Sequence, residues 1–133
     1  MTRHQSRTNA FKLIFSLPCN DSFAEDLLAE HAVELELETD ELCDSIVHNT
    51  VENLSQIDAK IEPNLKKWSL LRLPKISLAI LRISCAQLMY MKDIPASVVI
   101  DEAVELAKEF GDEDEYSFIN GVLRSVALEI DRE

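Results

Sequence analysis

Apolar residues recur along this chain at intervals of three and four, the spacing that places them on one face of an α-helix. The clearest case is residues 99–110, where positions 99, 103, 106, 107 and 110 are apolar and carboxylates or Lys108 lie between them. The same spacing predicts helices over residues 3–17, 39–61, 75–91, 95–110 and 114–130. The cap signal Asn20-Asp21-Ser22 predicts a further helix that carries Phe23, Leu27 and Leu28.

Proline residues mark the breaks between these helices. Pro18 ends the first helix, and Pro63, within Glu62-Pro63-Asn64, interrupts the pattern between two apolar stretches. We therefore expect a three-helix subdomain over residues 1–62 and a second helical subdomain over residues 63–133. The segment 75–91 is apolar on most sides, which predicts a central helix.

Composition favours helices throughout. The chain has 133 residues, 47% of them apolar, with only two glycines and four prolines, too few for the tight turns of a sheet. We predict an all-α fold of two small helical bundles packed together, with about seven helices. Gly121 lies inside the last helical pattern, where glycine costs about 1 kcal/mol against alanine. Close packing of another backbone against it is the expected reason.

Charge is segregated along the sequence. The net charge is −12, yet residues 1–20 sum to +3, residues 21–62 to −12, residues 63–100 to +5 and residues 101–133 to −8. A small basic face is therefore compatible with an acidic protein, because salt screens exposed charges beyond about 8–10 Å. No apolar run approaches the roughly 20 residues of a membrane span, and the start is polar, so we expect no membrane association and a cytoplasmic protein.

Catalytic and metal chemistry are not indicated. Cys43, Asp44 and His48 share a helix but lack further ligands, and three cysteines without a C-x-x-C spacing indicate neither a zinc module nor a disulfide framework. The acidic residues 112–115 do not match a calcium loop and suit a helix N-cap better. We expect no enzyme activity, no cofactor and no metal.

A basic cluster at the start of the first helix is the main candidate for ligand binding. Arg3 and Arg7 are one helical step apart, His4 lies beside them and Lys12 follows, so these side chains can project as one basic cluster that suits a phosphate. Taken without further context, an ordinary soluble N-terminus is the favoured interpretation. Phe118 suits either the core or stacking on an unpaired base, and the core interpretation is the commoner one for an aromatic at helical spacing.

Several motifs together resemble the NusB family of bacterial transcription antitermination factors. They are Arg7 with Ala10 and Leu13-Ile14-Phe15, then Leu81-Arg82-Ile83 with Leu88, Ile94-Pro95, the run from Ile100 to Lys108, Phe110-Gly111 and Phe118-Ile119-Asn120-Gly121-Val122-Leu123. The resemblance implies an all-helical fold of two bundles. It also implies binding of boxA RNA together with NusE, a ribosomal small-subunit protein, within an RNA polymerase antitermination complex that supports ribosomal RNA transcription.

The resemblance also implies site residues. RNA contacts would come from Arg3, His4, Arg7, Phe15, Phe118 and Asn120. The NusE-facing surface would include Arg82 and Gln87, where Gln87 stands at a position at which glutamate is common.

Two alternatives remain open from the sequence. One is a protein-interaction bundle that binds no RNA. The other is a NusB-like domain related to RNA cytosine methyltransferases, against which the absence of a methyl-donor-binding glycine loop argues.

Overall fold

Helices dominate the described part of the chain, which in this computed structural model comprises residues 1–16, 30, 32–66 and 69–132. The helices with described bounds are α1 (Arg3–Ser16), α2 (Glu41–Glu52), α3 (Leu54–Ile61), α4 (Lys75–Tyr90), α5 (Ala96–Phe110) and α6 (Glu113–Glu129), with short 3-10 helices at Glu62–Asn64 and Leu70–Arg72. No strand occurs in these ranges, so the predicted all-α class is confirmed. The helix expected after Asn20-Asp21-Ser22 lies outside the described residues.

The central helix is α4, as its apolar pattern predicts. Every residue from 77 to 88 is buried, and α4 packs against α1, α2, α3, α5 and α6. One continuous apolar core includes residues from both sides of the short helix Glu62–Asn64. The division into subdomains 1–62 and 63–133 stays a prediction.

The predicted single helix over residues 39–61 is wrong, because the chain breaks at Asn53 into α2 and α3. Asn53 leaves helical geometry at φ −117° and ψ 24°, and its side-chain amide donates to the Asn49 carbonyl at 3.0 Å. An asparagine side chain that bonds a nearby carbonyl competes with the helical backbone pattern. Hydrophobic spacing misses the break because both helices present the same apolar stripe to the core.

The start of α6 has the cap that the sequence predicts. The Asp112 carboxylate accepts from Glu115 N at 3.2 Å, and the Glu115 carboxylate accepts from Asp112 N at 2.8 Å. Gly111 makes room for this arrangement, because a Cβ built there would lie 2.1 Å from Glu115 Oε2. The acidic run 112–115 therefore serves the helix terminus, with a capping box and favourable charge.

Two arginines fix the central helix to its surroundings. Arg82 donates through Nε and Nη2 to both carboxylate oxygens of Asp58 on α3, at 2.9 and 2.8 Å. Arg132 follows α6 and donates to the carbonyls of Leu88 at 2.7 Å, Lys92 at 3.2 Å and Ile94. The chain after α6 thus holds the C-terminus of α4 and the loop that leads to α5.

None of the helices in the described ranges has the length and apolarity to cross a bilayer.

Candidate nucleic-acid interface

The predicted basic cluster at the start of α1 does not form as a single exposed group. Arg3 is exposed, whereas His4 lies between two carboxylates of α5: its Nδ1 is 2.7 Å from Glu102 Oε2 and its Nε2 is 3.5 Å from Glu109 Oε2. The hydrogen bond to Glu102 raises the pKa of His4 above its ordinary value of 6.5. His4 therefore joins α1 to α5. Among Arg3, His4 and Arg7, Arg3 is the exposed residue.

Arg7 points into the protein. It is 2% exposed, and its Nε donates to Gln87 Oε1 on α4 at 3.0 Å. Burial lowers the pKa of the guanidinium, against the opposing charge of Glu102. The predicted role of Arg7 in phosphate contact stays a prediction, and it requires this side chain to leave its observed position.

The residues predicted to face a protein partner are also buried. Arg82 is 6% exposed and paired with Asp58, while Gln87 is 2% exposed and bonded to Arg7. Both side chains brace α4 against neighbouring helices in this structure. Their predicted contact with NusE is therefore not supported by exposure and stays untested.

Aromatic rings and lysines instead form a surface around the last turn of α5. The Phe11 ring, which is buried, lies 5.7 Å from the exposed Phe15 ring and 5.0 Å from Phe110. Lys12 Nζ lies 5.8 Å from the centre of the Phe110 ring. Lys108 Nζ lies 5.4 Å from the centre of the Tyr116 ring at the start of α6. We call Lys12, Phe15, Lys108, Phe110 and Tyr116 together the aromatic–lysine surface. It has two parts, because Lys108 and Phe110 are two residues apart on α5: Lys12, Phe15 and Phe110 lie beside α1, and Lys108 and Tyr116 lie beside α6.

An open groove between α5 and α6 adjoins this surface. Its lining includes Lys108, Tyr116, Ser117 and Asn120 together with Asp101 and Glu105. The Asn120 Oδ1 accepts from Arg124 Nε at 3.1 Å, one helical turn further along α6. The groove therefore offers amide, hydroxyl, ammonium and carboxylate groups beside an aromatic ring.

The remaining predicted aromatic, Phe118, is partly buried. It packs against the apolar core while keeping part of its surface accessible. Both interpretations of Phe118 that the sequence left open are therefore compatible with its position on α6. Stacking on a base stays a prediction.

The expectation that Gly121 packs closely against another backbone is wrong. Gly121 is exposed, and a Cβ built on it would meet nothing within 4 Å. Ser117 and Arg124 lie four and three residues away and so border it on the same side of α6. The missing side chain leaves a short stretch of helix backbone open to approach from outside.

Sequence reasoning did not assign Lys108, Tyr116 and Arg124 to the site. The sequence gives little indication that they bind RNA, because Lys108 is a single basic residue within an acidic stretch and Tyr116 follows the acidic run 112–115. Tyr116 and Arg124 lie one helical turn before and after Asn120 on α6, and the packing of α5 against α6 brings Lys108 beside them.

Groups for metal binding are not assembled in the described ranges. No three or more His, Cys, Asp and Glu side chains there are placed to hold a metal ion. Cys43 and Cys85 are buried free thiols, and burial raises the pKa of each to about 12. Thiolate chemistry is thus disfavoured at both positions, while Cys19 lies outside the described residues.

Comparison with known proteins identifies the family. A sequence model described as the NusB family matches residues 4–128. The chain belongs to the NusB family. The transcription antitermination protein NusB of Lysinibacillus sphaericus is 41% identical over 123 residues, covering 92% of this chain and 94% of that protein. The protein of the same name from Clostridium acetobutylicum is 38% identical over 125 residues, covering 92% and 93%.

Solved structures agree with this NusB assignment. NusB of T. maritima superposes with a TM-score of 0.82 at 36% identity, covering 97% of this chain and 92% of that one. A crystal structure of the antitermination factors NusB and NusE in complex with dsRNA gives a TM-score of 0.81 at 25% identity, with 96% of each chain covered. The fold predicted from the family resemblance is therefore confirmed.

Proposed function

We propose that this protein is a transcription antitermination factor that binds boxA RNA together with the NusE ribosomal protein. It acts in the cytoplasm, within an RNA polymerase complex that supports ribosomal RNA transcription. In this proposal the protein is a binding adaptor and carries no catalytic step. Membership of the NusB family supports it, as does the likeness to a NusB structure that contains NusE and dsRNA.

The observation that carries the proposal is the aromatic–lysine surface on an otherwise acidic chain. Exposed aromatic rings suit unpaired bases, which stack on them, and lysines suit the phosphates that connect those bases. Phe15 is 41% exposed and Lys12 and Lys108 are exposed, so one aromatic ring and two positive charges are accessible, while Phe110 and Tyr116 are half-buried. A protein of net charge −12 repels nucleic acid elsewhere, which confines RNA to the few positive regions.

The groove beside α6 supplies the polar contacts that such a site needs. Asn120 carries an amide with both donor and acceptor groups, and Arg124 extends beside it. Gly121 lets an RNA backbone approach the helix closely, because no side chain intervenes. These groups give a second set of contacts beside Lys108 and Tyr116.

Only a few phosphates can be neutralised by so few cations. With about three contacts to single-stranded RNA, log affinity falls against log salt with a slope near −2. Binding by the protein alone is therefore weak. NusE, when bound to the same RNA, raises the affinity by sharing the ligand.

The deciding experiment measures boxA RNA binding by the protein mixed with NusE over a range of salt concentrations. Replacing Lys12 and Lys108 together by glutamine should weaken binding and reduce the salt slope by about 1.4, since each lost phosphate contact removes about 0.7. The control replaces Lys75 and Lys92 by glutamine, because these exposed lysines lie away from the α5–α6 groove and remove the same charge.

Equal weakening by both double variants would show that overall charge, and not this surface, governs binding. Absence of RNA binding by the unaltered protein in the presence of NusE would favour the alternative of a protein-interaction bundle.

A further inference from the structure

Arg7 carries a buried guanidinium that is incompletely bonded. Its Nε donates to Gln87 Oε1 at 3.0 Å, whereas its Nη2 is enclosed and has no hydrogen-bond partner among the described residues. A buried polar group without a partner is costly, and a buried charge is more so. This position therefore calls for an explanation beyond packing.

A second buried arginine, Arg82 on α4, shows what full bonding looks like in the same protein. Arg82 uses the same edge of its guanidinium, Nε and Nη2, to donate to both oxygens of the Asp58 carboxylate at 2.9 and 2.8 Å. A carboxylate matches that edge with two acceptors. Arg7 meets only one acceptor there.

Gln87 cannot supply the second acceptor. Its other terminal atom, Nε2, is itself a donor and bonds the Ile83 carbonyl at 3.0 Å. The negative charge of Glu102 acts on Arg7, but the Glu102 carboxylate accepts a short hydrogen bond from His4, at 2.7 Å. Arg7 is thus held by one hydrogen bond to a neutral side chain, while its charge stays buried.

We propose that Gln87 is a weak latch that holds Arg7 inside the protein, and that Arg7 leaves this position to bind a phosphate of the RNA. The inference rests on the proposed function and assigns the source of one of its cations. Gln87 acts as a positioning residue, because it touches Arg7 and not the RNA.

Position and chemistry both favour this movement. Arg7 lies one helical turn after the exposed Arg3, so a rotated side chain reaches the same end of α1. A phosphate offers the two acceptors that the Nε and Nη2 edge lacks in the buried position. The movement exchanges one hydrogen bond to a neutral amide for two to a charged phosphate and returns the charge to water.

The test replaces Gln87 by glutamate, which keeps the shape and adds the second acceptor. Gln87→Glu should hold Arg7 in place and so raise the melting temperature. It should also weaken boxA RNA binding in the presence of NusE by about tenfold, as expected for one lost charge-assisted contact. The salt slope should fall by about 0.7, corresponding to one phosphate.

Two comparisons separate the latch from general repulsion of RNA. Gln56→Glu adds the same charge at an exposed position on α3 and should leave the affinity and the salt slope nearly unchanged. In an Arg7→Met background, adding Gln87→Glu should have no further effect on binding. If Arg7→Met does not fold, the comparison of Gln87→Glu with Gln56→Glu decides.

The outcomes are distinct. If the unaltered protein binds RNA with NusE and Gln87→Glu binds it equally well, the latch is overturned while the proposed function stands. The same conclusion follows if Gln56→Glu weakens binding as much as Gln87→Glu. If the unaltered protein with NusE binds no RNA, the proposed function fails and the latch falls with it.

Discussion

Replacing Gly121 by alanine should stabilise this protein. Gly121 lies in the interior of α6, at an exposed position where a Cβ meets nothing within 4 Å. Glycine in a helix interior is unfavourable because it loses more backbone freedom on folding than alanine does. The substitution therefore removes a cost without introducing a clash.

The expected gain is about 0.8–1 kcal/mol in the free energy of unfolding, the difference in helix propensity between the two residues. The full difference applies because the site is open. For a chain of 133 residues, an unfolding entropy of about 2.1 cal/mol/K per residue converts 1 kcal/mol into a rise in Tm of about 3–4 °C.

Urea unfolding followed by circular dichroism measures this gain, with calorimetry giving the shift in Tm. The matched control is the other glycine of the chain. At Gly111 a Cβ would lie 2.1 Å from Glu115 Oε2 and 3.0 Å from the Ala107 carbonyl oxygen. Gly111→Ala should therefore displace the capping box and lower the free energy of unfolding by about 0.5–1 kcal/mol, as expected for a partly lost N-cap.

A loss of stability in Gly121→Ala would refute the reasoning, because it would mean that something packs against this position. If Gly121→Ala gains stability but weakens RNA binding, the glycine is retained for ligand approach. That combination would strengthen the proposed function.

Three further predictions concern side chains that join the helices. Arg132→Met should lower the free energy of unfolding by about 1.5–3 kcal/mol in urea unfolding, because it removes charge-assisted hydrogen bonds to carbonyls such as that of Leu88. An unchanged urea midpoint of unfolding would contradict this prediction. Asp58→Asn should lower the free energy of unfolding by about 2–4 kcal/mol in the same measurement, because the buried charge of Arg82 would lose the Asp58 carboxylate. A decrease below 1 kcal/mol would show that water takes the place of that carboxylate. His4 has a raised pKa, so its contribution is complete below about pH 6.5 and is lost as pH rises through the higher folded value. His4→Gln should accordingly lower Tm more at pH 5.5 than at pH 8.5, and an equal difference at both would contradict the assignment.

Much of the fold follows from local patterns. The spacing of apolar residues predicts α1 and α4–α6 to within a residue or two, and the burial of α4 follows from its apolar character on most sides. The break at Asn53 does not follow, because a stripe of apolar residues continues through it. The prediction that another backbone packs against Gly121 is wrong, because the sequence shows that a glycine is present but not what lies opposite it.

The candidate site divides in the same way. The sequence indicates that basic residues gather at the start of α1 and that the element Phe118-Ile119-Asn120-Gly121 lies on the last helix. The family resemblance adds RNA and NusE as expected partners. It does not show that Arg7 turns inward to Gln87, because this contact joins residues 80 positions apart.

The sequence by itself determined the helical class, most helix bounds, the segregation of charge and the family. These properties depend on spacing, composition and motifs, which are local. Only the tertiary structure decided which cations are exposed and which are buried, and that Lys108, Tyr116 and Asn120 line one groove. Those outcomes depend on how α1, α5 and α6 pack around α4, since helical spacing fixes the face on which a side chain lies but not the residue that it meets.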